Sequence, residues 1–356
     1  MTTTSRRPSM LDVAARAGVS YQTVSRVLNE PSIVRPETRD RVLEAIVELG
    51  YARNRAARAL KTTRSALVGV LSDGSSLFGP AETTAAIERA AREAGYSTLL
   101  ATVAPGEPHA QVASDLVGSG VDGIIVVAGH DGMTPVAEAA ARTTPVLSVS
   151  SGPLDAAGVE VVGVDQASGA RAVITHLADQ GMRRIVHVPG PVDWFDARAR
   201  RRGTEETLTD IGADGECTDP GDWSARSGYR IGTKLAARAL PDAIFAANDL
   251  MAIGILRALR ERGIEVPRDV ALVGFDDIEG ATYTTPSLTS VAQPFAQLGR
   301  AAMHRLLSRL EDGAGAADAP GGTDGVDGTD GADRPDGPPT ALAPELVVRE
   351  SSLRPL

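Results

Sequence analysis

A single cysteine, Cys217, stands among the 356 residues, so no intramolecular disulfide and no cysteine-built metal cluster can form, and a reducing compartment is expected. No stretch is apolar enough to span a bilayer. The first residues, with Arg6 and Arg7 leading into Asp12 and Arg16, hold no apolar run of about 7 to 15 residues such as an export signal needs. A cytoplasmic protein without a membrane partner is therefore expected. Catalytic signatures are also missing: there is no Gly-x-Ser-x-Gly elbow, no Gly-x-x-x-x-Gly-Lys phosphate loop and no paired-histidine metal motif. The five histidines, at 109, 130, 176, 187 and 304, are scattered. The chain is expected not to be an enzyme and to need no cofactor or metal. Aromatics are scarce at 3%, which makes each one worth individual attention.

What is present is unevenly charged. Residues 1–64 hold twelve Arg and Lys against six Asp and Glu, a net of +6, which leaves −16 for the rest of a chain whose total is −10. A basic head on an acidic body suggests that only the head approaches phosphates. The head reads as three short helices. Ser9 caps the first, which carries Leu11, Val13, Ala14 and Ala17 and stops at Gly18. Ser20 caps the second, through Asn29, with Val24, Val27 and Leu28 as its buried stripe. The third follows Pro36, presents Val42, Ile46 and Leu49, and ends at Gly50. Two helices joined by a three-residue turn and braced by a third make a DNA-reading unit.

From Ala66 the pattern changes to short apolar runs separated by helical stretches. Runs at 66–71, 98–103, 123–128, 145–149 and 159–164 form one set, and runs at 184–188, 243–246 and 270–275 restart it. That alternation predicts two doubly wound parallel-sheet α/β lobes with a ligand cleft at the carboxyl ends of their strands. The expected divisions are a head (1–52), a linker (53–63), a first lobe (64–162 and 292–311) and a second lobe (163–291 and 341–356). Residues 312–340, with eight Gly and seven Asp, read as a disordered acidic loop. Its Asp-Gly spacing lacks the bidentate Glu of a calcium loop. Residues 342–348 read as one last strand.

The run Asp12-Val13-Ala14-Ala15-Arg16-Ala17-Gly18-Val19-Ser20-Tyr21-Gln22-Thr23-Val24-Ser25-Arg26-Val27-Leu28-Asn29 closely resembles the LacI/GalR family of transcriptional regulators. So do Val34-Arg35-Pro36-Glu37-Thr38-Arg39, Leu49-Gly50-Tyr51, Asn248-Asp249 and Val273-Gly274-Phe275-Asp276-Asp277. The resemblance implies a periplasmic-binding-protein-like body and a homodimer that grips or releases operator double-stranded DNA as a small effector enters the cleft.

It assigns Tyr21, Gln22 and Arg26 to base reading, with Ser25 and Asn29 at nearby phosphates or bases. Gln and Arg suit this chemistry because each can bond a base edge bidentately. Residues 54–61 look like the family's hinge helix, which enters the minor groove as a dimeric pair with Leu60 as the wedge between base steps and Asn54 and Ala57 among its DNA-binding residues. Arg53 stands where the family usually has Pro. In the cleft, Arg200, Asn248 and Asp276 match polar effector contacts and Trp223 a stacking aromatic. Asp73 and Phe78 would close the first-lobe side, and Trp194 and Asp196 precede Arg200 on the other. Ser150 replaces the Asp of some sugar-responsive relatives. Planar polar groups beside an aromatic face suit a mono- or disaccharide.

Two rivals are a same-fold sugar-binding protein without a regulatory role and a corepressor-dependent regulator of another metabolite class. The first would need an export signal and no DNA-reading head. Inducer and corepressor remain alternatives at this point. The sequence shows no terminal leucine heptad that would join dimers into a tetramer, so a dimer is the simpler expectation.

Overall fold

Side chains set the helix ends of the first part of the chain. In the computed structural model, which describes residues 8–51, 64–103, 109–127, 129–152, 158–317 and 341–353, the chain divides into two units, Met1–Ser65 and Ala66–Leu356. The first unit contains α1 (Met10–Ala17), α2 (Tyr21–Asn29) and α3 (Pro36–Leu49). Ser9 and Asp12 form a reciprocal capping box on α1, and Gly18 ends it in the left-handed conformation at φ 64°. Ser20 accepts from the Thr23 N–H at 3.1 Å to start α2. Pro36 starts α3. Val13, Ala14, Ala17, Val24, Val27, Val42 and Ala45 form the shared core.

The second unit holds two α/β lobes. The first contains β1 (Leu67–Ser72), α4 (Phe78–Glu93), β2 (Ser97–Thr102), α5 (His109–Gly118), β3 (Gly123–Val127), α6 (Thr134–Ala141), β4 (Val146–Val149) and β5 (Val159–Val164). The chain then enters the second lobe: α7 (Gln166–Asp179), β6 (Arg184–Val188), α8 (Phe195–Asp210), β7 (Asp214–Cys217), α9 (Ala225–Leu235), β8 (Ala243–Ala246), α10 (Asp249–Glu261), β9 (Ala271–Val273) and the short α11 (Glu279–Thr282). After β10 (Ser290–Ala292) it returns as α12 (Phe295–Ala317), which packs on the first lobe, and closes with β11 (Ala341–Leu342) and β12 (Glu345–Val347).

The first sheet runs β11-β5-β4-β3-β1-β2 and the second β7-β6-β8-β9, with every pairing parallel. Each sheet buries apolar side chains on both faces, as parallel sheets must. In the first lobe, α4 and α12 cover one face while α5 and α6 cover the other. Helices α4 and α12 meet at Gly299, where a Cβ would fall 2.4 Å from the Ala86 backbone. No helix among the described residues is long and apolar enough to cross a membrane.

The end of the chain differs from the expected single strand at 342–348 and from the placing of all of 341–356 in the second lobe. Ala341 and Leu342 extend the first lobe's sheet beside β5, whereas β12 pairs antiparallel with β10. Pro344, between them, cannot donate to a ladder, and the chain changes sheets there. The start of the expected loop is also corrected: α12 continues to Ala317. The rest of that loop, 318–340, lies outside the described residues.

Candidate functional site

On α2, the turn of Ser20 and the buried Val24 and Val27 place Tyr21, Gln22, Arg26 and Asn29 on the exposed face, with Ser25 half-buried beside them. Asn29 donates through Nδ2 to the Ser25 carbonyl at 2.8 Å and to its hydroxyl at 3.2 Å. Those two side chains therefore brace each other at the end of the face. Arg53, Asn54, Ala57 and Leu60 lie outside the described residues.

In the second unit, the carboxyl ends of the strands of both lobes converge on a cleft. Two adjoining hollows share Gly79, Pro80, Trp194, Asp196 and Gln293 as walls. Phe78, Arg200, Trp223, Asn248 and Asp276 line one, and Ser150 the other. Eight of the nine expected cleft residues are thus brought together. Asp73 is not. It pairs with His130, whose Nε2 lies 3.3 Å from its carboxylate and whose ring lies 5.4 Å from that of Trp194. That pairing holds the Asp73 carboxyl below its usual range against the opposing effect of burial, and raises the His130 imidazole.

Arg200 is 2% exposed, and all three of its guanidinium nitrogens are engaged. Nε donates to Gln166 Oε1 at 2.9 Å, one Nη to the Ala247 carbonyl, and the other to Asp276 Oδ1 at 3.4 Å. Asp196, one helical turn before it, lies 3.6 Å away. Gln166 donates to Gln293 at 2.8 Å, and Gln293 donates to Asp276 Oδ1 at 2.8 Å. The four side chains therefore close a ring, with the guanidinium carbon 3.7 Å from the centroid of the Phe275 ring. Burial pushes the Asp276 carboxyl up to about 6, with Arg200 opposing. Asp249, beneath it, is pushed up to about 8 by burial and by the neighbouring Asp276. A neutral acid there avoids placing two bare carboxylates side by side.

Trp194 borders both hollows and meets Trp223 edge to face at 5.7 Å. Trp223 is deeper, at 5% exposed, with φ 69° and its ring laid on Gly190, where a Cβ would come within 2.2 Å. Its indole N–H is buried and has no partner among the described residues. Asn248 caps α10: its Oδ1 accepts from the Met251 N–H at 3.0 Å, and its Nδ2 donates to the Trp223 carbonyl at 3.1 Å. Phe78 packs edge to face on Phe295 at 5.8 Å, on the first-lobe side. Ser150 Oγ accepts from the Gly152 N–H at 3.2 Å. Among the described residues, no group of three or more His, Cys, Asp or Glu is placed to hold a metal.

Across the cleft, Phe195 of the second lobe inserts into the first lobe's core and donates its N–H to the Gly129 carbonyl at 3.1 Å. Arg198 forks onto Asp131 at 2.8 and 2.9 Å, and Ser151 bonds Asp196. Sequence reasoning missed Gln166 and Gln293. Each follows a strand at a point where the chain crosses between lobes, Val164-Asp165-Gln166 and Ala292-Gln293-Pro294. The rule that ligands gather at strand carboxyl ends points to each position, though not to the bond between them.

Residues 9–54 match the profile of bacterial regulatory proteins of the lacI family, and residues 174–352 that of a periplasmic binding protein-like domain. The lactose operon repressor of Escherichia coli (strain K12) is 35% identical over 303 residues, 84% of each chain. The solved lac repressor dimer bound to operator and the anti-inducer ONPF superposes with a TM-score of 0.76 at 29% identity, covering 98% of this chain and 100% of that one. A transcriptional regulator CelR–cellobiose complex gives 0.66 at 31% identity, over 97% and 100%. With its helix-turn-helix head and its two-lobed ligand-binding body, the chain belongs to the LacI family of DNA-binding transcription regulators.

Proposed function

We propose that this regulator is a homodimeric repressor of carbohydrate-utilisation genes, released from its operator by a mono- or disaccharide bound between the lobes. The observation that carries the sugar reading is the ring of Arg200, Gln166, Gln293 and Asp276 beside Trp194. Planar amides, a guanidinium and a carboxylate bond neighbouring hydroxyls in pairs, and an indole covers the apolar face of a pyranose. The Trp223 N–H, buried and without a partner among the described residues, would be one more donor to a ligand that reaches it. Asn248 acts here through the helix it caps and the Trp223 loop it holds.

In the head, Gln22 and Arg26 read base edges, Tyr21 adds apolar contact and a hydroxyl, and Ser25 and Asn29 support them. Leu60 wedges a flexible base step, with Asn54 and Ala57 beside it. A dimer follows because one small head reads only a half-site. Effector binding shifts the lobes, the lobe shift moves the paired hinges, and operator affinity changes by the coupling energy, typically about 1–3 kcal/mol or roughly 5- to 150-fold.

The test is fluorescence anisotropy of the protein on a palindromic fragment from its own upstream region, repeated across a panel of mono- and disaccharides. One sugar that weakens binding about tenfold supports the whole reading. Specific DNA binding that no sugar moves removes the sugar, and a ligand that tightens binding makes the protein a corepressor-dependent regulator. Leu60→Ala is expected to weaken operator binding more than binding to random DNA; equal losses would remove the wedge.

A further inference from the structure

Asp276 and Asp277 are consecutive non-glycine residues in left-handed backbone, with φ of 101° and 48°. Such a pair persists only where its surroundings over-determine it. The first of the two is the carboxylate of the cleft ring, so whatever fixes this turn also fixes the ring. Part of the restraint is local: the Asp276 N–H donates to the Val291 carbonyl at 2.9 Å, and the Asp277 N–H to Ser290 Oγ at 3.0 Å.

The rest comes from the other end of the sequence. Arg349 donates through Nη1 to Asp277 Oδ1 at 2.7 Å and to the Leu288 carbonyl at 2.7 Å. Both partners of the ion pair are largely shielded, at 17% and 20% side-chain exposure. Arg349 is itself pinned. Its N–H donates to Thr289 Oγ1 at 2.8 Å, and that hydroxyl donates to the Arg349 carbonyl at 2.9 Å. Beyond it, Ser351 and Ser352 are fully buried; Ser351 Oγ donates to the Leu272 carbonyl at 2.6 Å, and Ser352 Oγ bonds His176 Nε2 at 2.8 Å. Before it, β12 pairs with β10, and β11 hydrogen-bonds to the first lobe's β5. Residues 341–353 are therefore a strap that leaves the sheet of one lobe and ends on the turn that presents Asp276 in the other.

We propose that Arg349 is a positioning residue of the effector site. It does not line the cleft, and it acts by holding Asp277 so that Asp276 stays aimed at Arg200 and Gln293. The strap thereby sets effector affinity from outside the cleft, which rests on reading that cleft as the effector site.

The experiment compares Arg349→Met, Arg349→Lys, Asp277→Asn and, as a control on the same strap, Glu350→Gln. Glu350 bonds Ser287 instead, accepting from its N–H at 2.8 Å and its hydroxyl at 2.9 Å. The first readout needs no effector. In protein labelled with carboxyl-13C aspartate, the Asp276 resonance, assigned by its loss in Asp276→Asn, is followed through a pH titration. Arg349→Met is expected to move its midpoint from about 6 by about one unit or more, because a relaxed turn changes both the burial that raises this carboxyl and the Arg200 and Gln293 contacts that oppose it.

Arg349→Lys restores part of the midpoint, since an ammonium reaches one of the two acceptors, and Glu350→Gln leaves it in place. An unmoved midpoint in a folded Arg349→Met protein overturns the proposal; should that variant fail to fold, Asp277→Asn is read the same way. The second readout is calorimetric titration with each sugar of the panel, in which affinity falls about tenfold in Arg349→Met and less than about twofold in Glu350→Gln. Equal losses in both overturn the proposal. If no sugar binds the parent protein, the sugar reading fails and the carboxyl titration still decides the role of Arg349.

Discussion

Tyr21, Gln22 and Arg26 stand exposed on a nine-residue helix, whereas Arg200 and Asp276 are 2% and 9% exposed inside a ring of mutual hydrogen bonds. The two proposed recognition surfaces of one chain are thus built in opposite ways. A face that meets a polyanionic duplex from outside needs reach and open hydrogen-bonding capacity, and its side chains owe little to folding. In the proposed cleft, Arg200, Gln166, Gln293 and Asp276 are bonded to one another, so a ligand would take them only by replacing those bonds. Binding there is an exchange, and a ligand that cannot reproduce the bonds leaves buried groups unmet. Stability and function are therefore separable in the head and entangled in the body.

The strongest test of that contrast is Arg200→Met. It is expected to abolish the effector response, leave operator binding in place, and lower unfolding free energy by about 3 kcal/mol, because Asp276 is left buried without its counter-charge. Urea unfolding at neutral pH measures this. An unchanged midpoint would show that the ring is not structural. Arg26→Ala is the opposite case: operator affinity should drop by about 1–3 kcal/mol, while unfolding stays within about 0.5 kcal/mol of the parent. A large stability loss there would erase the distinction.

The third test uses pH. The Asp249 carboxyl is raised from 3.8 to about 8, so the stability it contributes is complete below its unfolded value and is lost as pH rises through the folded one. The parent should therefore lose thermal stability relative to Asp249→Asn between about pH 4 and pH 8, by several degrees in Tm. A constant gap across that window would place the proton elsewhere. The smallest effect belongs to Arg198→Met. Its pair with Asp131 spans the lobes, yet its two side chains are 43% and 59% exposed. Loss of at most about 1 kcal/mol is expected, fading in high salt. A larger, salt-insensitive loss would move this pair into the buried class.

The contrast also decides what could be read in advance. Head helices were legible because their ends depend on local chemistry: Ser9, Ser20, Pro36, Gly18 and Gly50 fall at the helix ends in the structure as in the sequence. Strand β8 matches its apolar run because all four positions are buried and apolar, and β5 and β6 match theirs although Glu160 and Arg184 interrupt the pattern. Edge strand β7, Asp-Gly-Glu-Cys, carries no such run and was missed. The cleft was legible residue by residue but not as a network. Nothing near Gln166 in sequence announces Gln293, 127 positions away, because their bond exists only where two crossovers meet. Asp73 misled for the same reason: its partner His130 comes from another loop.

Both tryptophans of the chain, Trp194 and Trp223, lie within 5.7 Å of each other at the same cleft. The protein is thus optically silent at long ultraviolet wavelengths everywhere except where its ligand is proposed to bind. Emission excited near 295 nm would carry no background from the head or from either lobe's core. An indole beside a guanidinium and a carboxyl is also sensitive to small changes in local field. If the proposed site is right, the wild-type chain would carry its own occupancy gauge, readable without a dye, a label or a strand of DNA.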